Sequence, residues 1–244
     1  MEINAKNNTE SFNDFQKKTD EKIYQIDENA FIDGIINYEK YSKSPIKILW
    51  ILKEPNSTEG KLNWREEIRL IPTYNGNLGA FEKTFANIVY TSYGLLNKKK
   101  WNEMQWIEDD PSIVNSLEEI AFINISKTPG GSKSNDAFLE LQYQSYYKDV
   151  VKNQITNFRP NIIIGGNTIK FIIEDLKEIY PSLKYEKYVQ TSDLGIHLSE
   201  EDNLVVFDAR HPQNTSSSRE IYCNDIIDNY LSLTQKTKDE NGRI

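Results

Sequence analysis

Along the chain, short and nearly unbroken apolar runs alternate with longer stretches whose apolar residues recur at helical spacing. "IKILWIL", Ile46 to Leu52, is the first run. "LEEIAFINI" holds a second that ends at Ile125, "PNIIIGG" a third that ends at Gly166, and "NLVVFDA" a fourth that ends at Ala209. Apolar runs of this length without polar alternation predict strands buried on both faces. Between them, "GAFEKTFANIVYTSYGLL" sets Phe81, Phe85, Ile88 and Val89 on one helical face, and a helix is expected from about Asp136 to Phe158. "NTIKFIIEDLKEIY" reads as a further helix with Asn167 as its N-cap, and "SREIYCNDIIDNYLSLTQK" as the closing one. "YEKYVQ" reads as an edge strand. Apolar strands separated by helices predict an α/β fold, a three-layer α/β/α sandwich with a central, mainly parallel, four-stranded sheet.

The flanks differ from this body. Residues 1–45 are polar, with Ile23, Ile26, Phe31, Ile35 and Ile36 at helical spacing, and are expected to form a helical N-terminal extension. Residues 46–236 make the α/β domain, and "TKDENGRI", 237–244, a frayed tail. The segment "NSTEGKLNWREEIRLIPTYNGN" after the first strand is expected to be a long loop, because Pro55 blocks ladder pairing and turn residues follow it.

Composition narrows the class. A single cysteine, Cys223, excludes an internal disulfide framework and a four-cysteine zinc or iron–sulfur site. No apolar run approaches the ~20 residues of a membrane span, and the N-terminus lacks the apolar core of a secretory signal. A cytoplasmic monomer with no membrane partner is the expectation. The formal net charge is −8, against the basic footprint usual in nucleic-acid binders, although a local basic cleft can sit on an acidic body.

In a parallel sheet, ligands gather beyond the carboxyl ends of the strands. Four loops therefore hold the candidate chemistry. The first is "LKEPN", with Glu54 beside Pro55 and Asn56; the second is "NISKTPGG", with Asn124, Lys127, Gly130 and Gly131. Asn124 lies inside an apolar run, so its amide must find a partner in the protein or in a ligand, and either is open. The third loop is "GGNT", with Gly166. The fourth is "RHPQNTSSS", where His211, one of only two histidines, stands at the open end of a buried strand. The other, His197 in "DLGIHLSEED", belongs to none of these loops.

The ordered set resembles the uracil-DNA glycosylase superfamily over roughly residues 46–235. "LKEP" takes the place of the first motif, with Glu54 at its catalytic Asp or Asn; "AFINISKTPGG" is similar to the middle segment, with Asn124 at the base-recognising Asn and Lys127 and Pro129 in register. "FRPNIIIGGNTIKFII" looks like the superfamily's third strand and helix, and "HPQ", His211 to Gln213, meets the closing H-P-S motif. The chain departs at Leu52, where the motif has glycine, and at Asn56, where branches have Tyr or Gly. A tyrosine there excludes thymine by bulk, so Asn56 leaves the choice of base open. The single cysteine places the chain outside the iron–sulfur branch.

The resemblance implies a DNA glycosylase that hydrolyses the N-glycosidic bond of a flipped uracil or other modified base, leaves an abasic site, and needs no metal or cofactor. Glu54 and His211 would be catalytic. Asn124, Pro55 and Asn56 would receive the base, with Trp64, Tyr74 or Phe81 stacked on it. Lys127, Gly130, Gly131, Ser132, Lys133, Gly166, Arg210, Pro212, Gln213, Asn214 and Ser216 would meet single- or double-stranded DNA. Two alternatives remain: a protein of the same fold that binds nucleic acid or nucleotide without cleaving it, and an enzyme acting on free nucleosides.

Overall fold

The computed structural model describes residues 2–57, 60–131, 134–214 and 216–241, with side chains described at all of these except 2–11, 74, 80 and 236–241. The four apolar runs form β2 (Ile48–Leu52), β3 (Ile120–Asn124), β4 (Ile162–Gly166) and β7 (Leu204–Ala209). They lie side by side in the order β3-β2-β4-β7, each neighbouring pair parallel. The sheet is nevertheless seven-stranded and mixed, not four-stranded. A two-residue β1 (Gly34–Ile35) pairs antiparallel with β3 at one edge; at the other, β6 (Leu194–Ser199) pairs antiparallel with β7, and β5 (Lys184–Val189) antiparallel with β6.

Helices cover both faces. On one face, Ile48, Trp50, Phe122, Ile164 and Phe207 pack with α3 (Trp64–Leu70), α4 (Glu82–Asn97) and α8 (Arg219–Asn241). On the other, Leu49, Ile51, Ile123, Ile163 and Val206 pack with α5 (Asp136–Gln142), α6 (Lys148–Phe158) and α7 (Ile169–Ile179). Successive strand residues thus feed two cores, which is why the runs carry no polar alternation. The Trp50 indole, fully buried, donates to Ser92 Oγ at 3.0 Å, so its one polar atom is satisfied inside the first core.

Several expectations change. The N-terminal extension is α1 (Glu2–Ile26), β1 and α2 (Tyr38–Lys43); Ile35 and Ile36, read at helical spacing, instead belong to the sheet edge and the turn after it. Gly34, at φ +144°, adopts backbone that a helix excludes. The long loop after β2 contains α3, capped by the Asn63 side chain on Arg65 N, and a 3₁₀ turn over Ile71–Tyr74. The expected single helix over 136–158 is broken by a π turn at Tyr143–Tyr147, whose Tyr143 hydroxyl donates to Asp175. The closing helix α8 runs to Asn241, into the tail read as 237–244, and 242–244 lie outside the described residues. No described helix is long and apolar enough to cross a membrane.

Candidate functional site

Parallel pairing puts the ends of β2, β3, β4 and β7 on one edge, and the loops there continue the sheet's order. Leu52 pairs with Asn124 in register. Beyond the strands, Ile125 N donates to Leu52 O, Ser126 N to Lys53 O and Gly130 N to Pro55 O, at 2.8 to 3.0 Å. These bonds zip the Glu54 loop to the Asn124 loop. A Cβ on Gly130 would lie 2.4 Å from Glu54 Cγ, so glycine there lets the carboxylate lie flat against the neighbouring loop.

A cleft of about 460 Å³ opens at this edge. Glu54, Pro55, Asn56, Trp64, Phe81, Asn124, Gly131, His211 and Gln213 all line it, joined by Lys53, Phe85, Phe122 and Asn167. Its apolar wall is an aromatic cluster in which Trp64 meets Phe81 edge-on, centroids 5.9 Å apart, and Phe85 stacks on Phe122 at 5.6 Å. Three buried polar atoms of its lining residues have no partner among the described residues: Glu54 Oε2, Asn124 Oδ1 and Trp64 Nε1. Orphaned buried polar atoms are costly, on the order of 1–3 kcal/mol each, and all three belong to residues that line this one cavity.

Asn124 is held from behind. Its backbone N–H donates to Asp33 Oδ2 at 2.8 Å, and its carbonyl accepts from Lys127 Nζ at 2.6 Å. Lys127 also donates to both Asp33 oxygens and to Gln154, and both partners of this ion pair are fully buried. Burial pulls the Lys127 ammonium below its ordinary range, against the opposing pull of Asp33. Lys127, expected from the sequence to meet a DNA phosphate, is instead sealed inside the protein.

His211 follows β7. Its loop is fastened by Asn87 Nδ2 donating to the Pro212 carbonyl at 2.6 Å and by the Tyr222 hydroxyl donating to the Arg210 carbonyl at 3.1 Å. Gln213 N–H donates to His211 Nδ1 at 3.1 Å, so the neutral imidazole carries its proton on Nε2. Burial, assisted by the nearby Lys53 ammonium, pulls the His211 pKa down to about 4, and the ring is neutral at physiological pH. Lys53 itself is paired with Asp136, which Lys170 shares.

Several other DNA-contact candidates meet neighbours within the protein. Gly130 seats Glu54. Gly166 admits Leu52 and Pro212, whose atoms would stand 2.4 and 3.0 Å from an added Cβ, so both glycines serve internal packing. Pro212 packs there with its carbonyl already used. Arg210 pairs with Asp193 at 3.0 Å and with Ser216, while Asn214 Oδ1 accepts from Ser216 N–H, closing a turn within the loop. Ser132, Lys133 and the Tyr74 side chain lie outside the described residues. Asn167 is not a cap; Thr168 precedes α7, and Asn167, at φ +60°, lines the cleft.

Among the described residues, no cluster of three His, Cys, Asp or Glu side chains is placed to hold a metal ion. Phe85, Phe122 and Lys53 escaped the sequence reading because the first two look like core and the third like an ordinary loop charge. No protein-family model matches the chain, and no curated protein matches its sequence.

Proposed function

We propose that this cleft receives a flipped nucleobase and that the protein is a DNA glycosylase, with uracil or another modified base as substrate. The observation that carries the reading is the convergence of Glu54, Asn124 and His211, from three separate strand ends, on one aromatic-walled cleft with unpartnered polar atoms.

The chemistry follows from these groups. As the N-glycosidic bond breaks, its electron pair leaves with the base, and the sugar acquires oxocarbenium character at C1′. His211, neutral with its proton on Nε2, donates a hydrogen bond to a base oxygen where negative charge develops; a donor of this kind is worth about 10²–10³ in rate. Glu54 stabilises the cationic sugar and orients the water that attacks C1′, taking up its proton. The Asn124 amide offers both donor and acceptor to the base edge. Trp64 and Phe81 supply the apolar wall against which the ring packs. With Asn56 rather than a bulky ring after Pro55, the cleft leaves room for a base larger than uracil.

The test is incubation of purified protein with oligonucleotides carrying a panel of modified bases, followed by alkaline cleavage at abasic sites. Product is expected with at least one base, and Glu54→Ala and His211→Ala are expected to lose it. Full activity in both variants would overturn these roles. A second reading, binding without cleavage, is favoured by Leu52, which lines the cleft at the position where the resembled motif has the glycine that comes close to substrate. It predicts oligonucleotide binding with no abasic product across the whole panel.

A further inference from the structure

A second cleft, of about 500 Å³, adjoins the first on the β5–β6–β7 side, and the two share Asn167 and His211. Tyr185 and Tyr188 of β5 line it, 58% and 54% exposed. On a regular strand, residues three apart point to opposite faces. A register shift between Tyr185 and Lys187 in the β5–β6 pairing brings both rings to the same cleft.

The rings are bare on one side and fixed on the other. The Tyr188 hydroxyl donates to Asp193, whose second oxygen accepts from Arg210 Nε at 3.0 Å. Tyr185 meets His197 edge-on, with centroids 5.4 Å apart and planes at 79°. At the floor, Gly195 of β6 pairs with Asp208 of β7. A Cβ on Gly195 would stand 3.3 Å from the Asp208 Cβ, so glycine keeps the space beside that carboxyl open. No described residue donates a hydrogen bond to the Asp208 carboxyl, and its burial raises its pKa.

We infer that the second cleft is a subsite for a nucleobase adjacent to the target, one bearing an exocyclic amino group, stacked on Tyr185 and Tyr188 and hydrogen-bonded to Asp208. The inference rests on the glycosylase reading of the adjoining cleft. Exposed, immobilised tyrosines are stacking surfaces for any base. The carboxylate adds selectivity, because it only accepts: the amino groups of adenine, cytosine and guanine suit it, whereas the carbonyls flanking the thymine N–H face its second oxygen. The same carboxylate disfavours a phosphate here. Since His211 belongs to both clefts, a base in the second lies one step along the strand from a base in the first.

Fluorescence anisotropy with labelled oligo-dC, oligo-dA and oligo-dT, none containing a modified base, tests the subsite. The wild type is expected to bind oligo-dC and oligo-dA several-fold more tightly than oligo-dT. The Tyr185→Ala/Tyr188→Ala variant is expected to lose roughly tenfold in affinity for all three, and Asp208→Asn to erase the difference among them. Both tyrosines are exposed on an edge strand, and an unchanged thermal melt checks that the double variant is folded. Absent binding by the wild type, or affinities indifferent to the tyrosines, would overturn the subsite. If tyrosine-dependent binding is found but no base is ever released by the wild type, the glycosylase reading fails and the subsite stands. If bases are released while binding ignores the tyrosines, the subsite alone falls.

Discussion

His211 joins burial to a fixed tautomer, and both follow from where the chain turns after β7. The Gln213 amide donates to Nδ1, and burial draws the ring's pKa down to about 4, against an ordinary value of 6.5. Folding therefore keeps the proton off a ring that the unfolded chain would protonate near neutrality. Between pH 4 and 6.5 the unfolded state binds more protons than the folded one, so stability is full above 6.5 and falls as pH drops towards 4. The loss ascribable to this ring is at most about 3 kcal/mol. Half-buried His197, also shifted downwards by burial, adds to it with the same sign. Urea unfolding at pH 7.5 and 4.5 is expected to show a lower midpoint in acid, and His211→Gln is expected to shrink that difference. An undiminished acid sensitivity in the variant would mean that His211 is not held neutral. The sequence exposed His211 by placing it after an apolar run; its neutrality was not legible, because it depends on packing by α4 and α8 and on a cation from another loop.

At the level of elements, the end of β3 is set by a segment far away in sequence. Asp33, just before β1, receives the Asn124 amide and the Lys127 ammonium within a fully buried network that also includes Gln154 of α6. Removing one partner of a buried ion pair leaves a charge without compensation and costs about 3–5 kcal/mol, whereas replacing both with apolar groups is often far milder. Asp33→Ala is therefore expected to lower the urea midpoint sharply, and Asp33→Ala/Lys127→Met to recover much of the loss. A double variant whose loss equals the sum of the single losses would show the pair to be uncoupled. Here the sequence misled. Lys127 in a loop beside "PGG" reads as a phosphate contact, and the helical spacing around Ile35 hides a strand. The network joins residues 33, 124, 127 and 154, and no local pattern connects them. The parallel strands were legible because burial on both faces leaves an unmistakable apolar run; β6, with "DLGIHLS", lies near an edge and carries no such run.

Across the whole molecule, charge limits how DNA could be held. The chain carries 29 Lys and Arg against 37 Asp and Glu, a net −8. Four cations of the site's loops and flanking helix are paired: Lys53 to Asp136, Arg210 to Asp193, Arg219 to Glu82, and Lys127 to buried Asp33. An enzyme that grips phosphates gains affinity from counterion release, with a slope in log K against log salt of about −0.7 per phosphate on single strands and −0.9 on duplex. One that holds bases by stacking and by polar atoms in clefts gains little from that source. On the proposed function, the aromatic wall of Trp64, Phe81 and Phe85 and the exposed rings of Tyr185 and Tyr188 would put this chain in the second class. Anisotropy titrations between about 50 and 200 mM salt are therefore expected to give a slope shallower than about −3. A slope near −6 would mean that these cations exchange their carboxylate partners for phosphates on binding, and that the ion pairs around the cleft are a closed state opened by DNA.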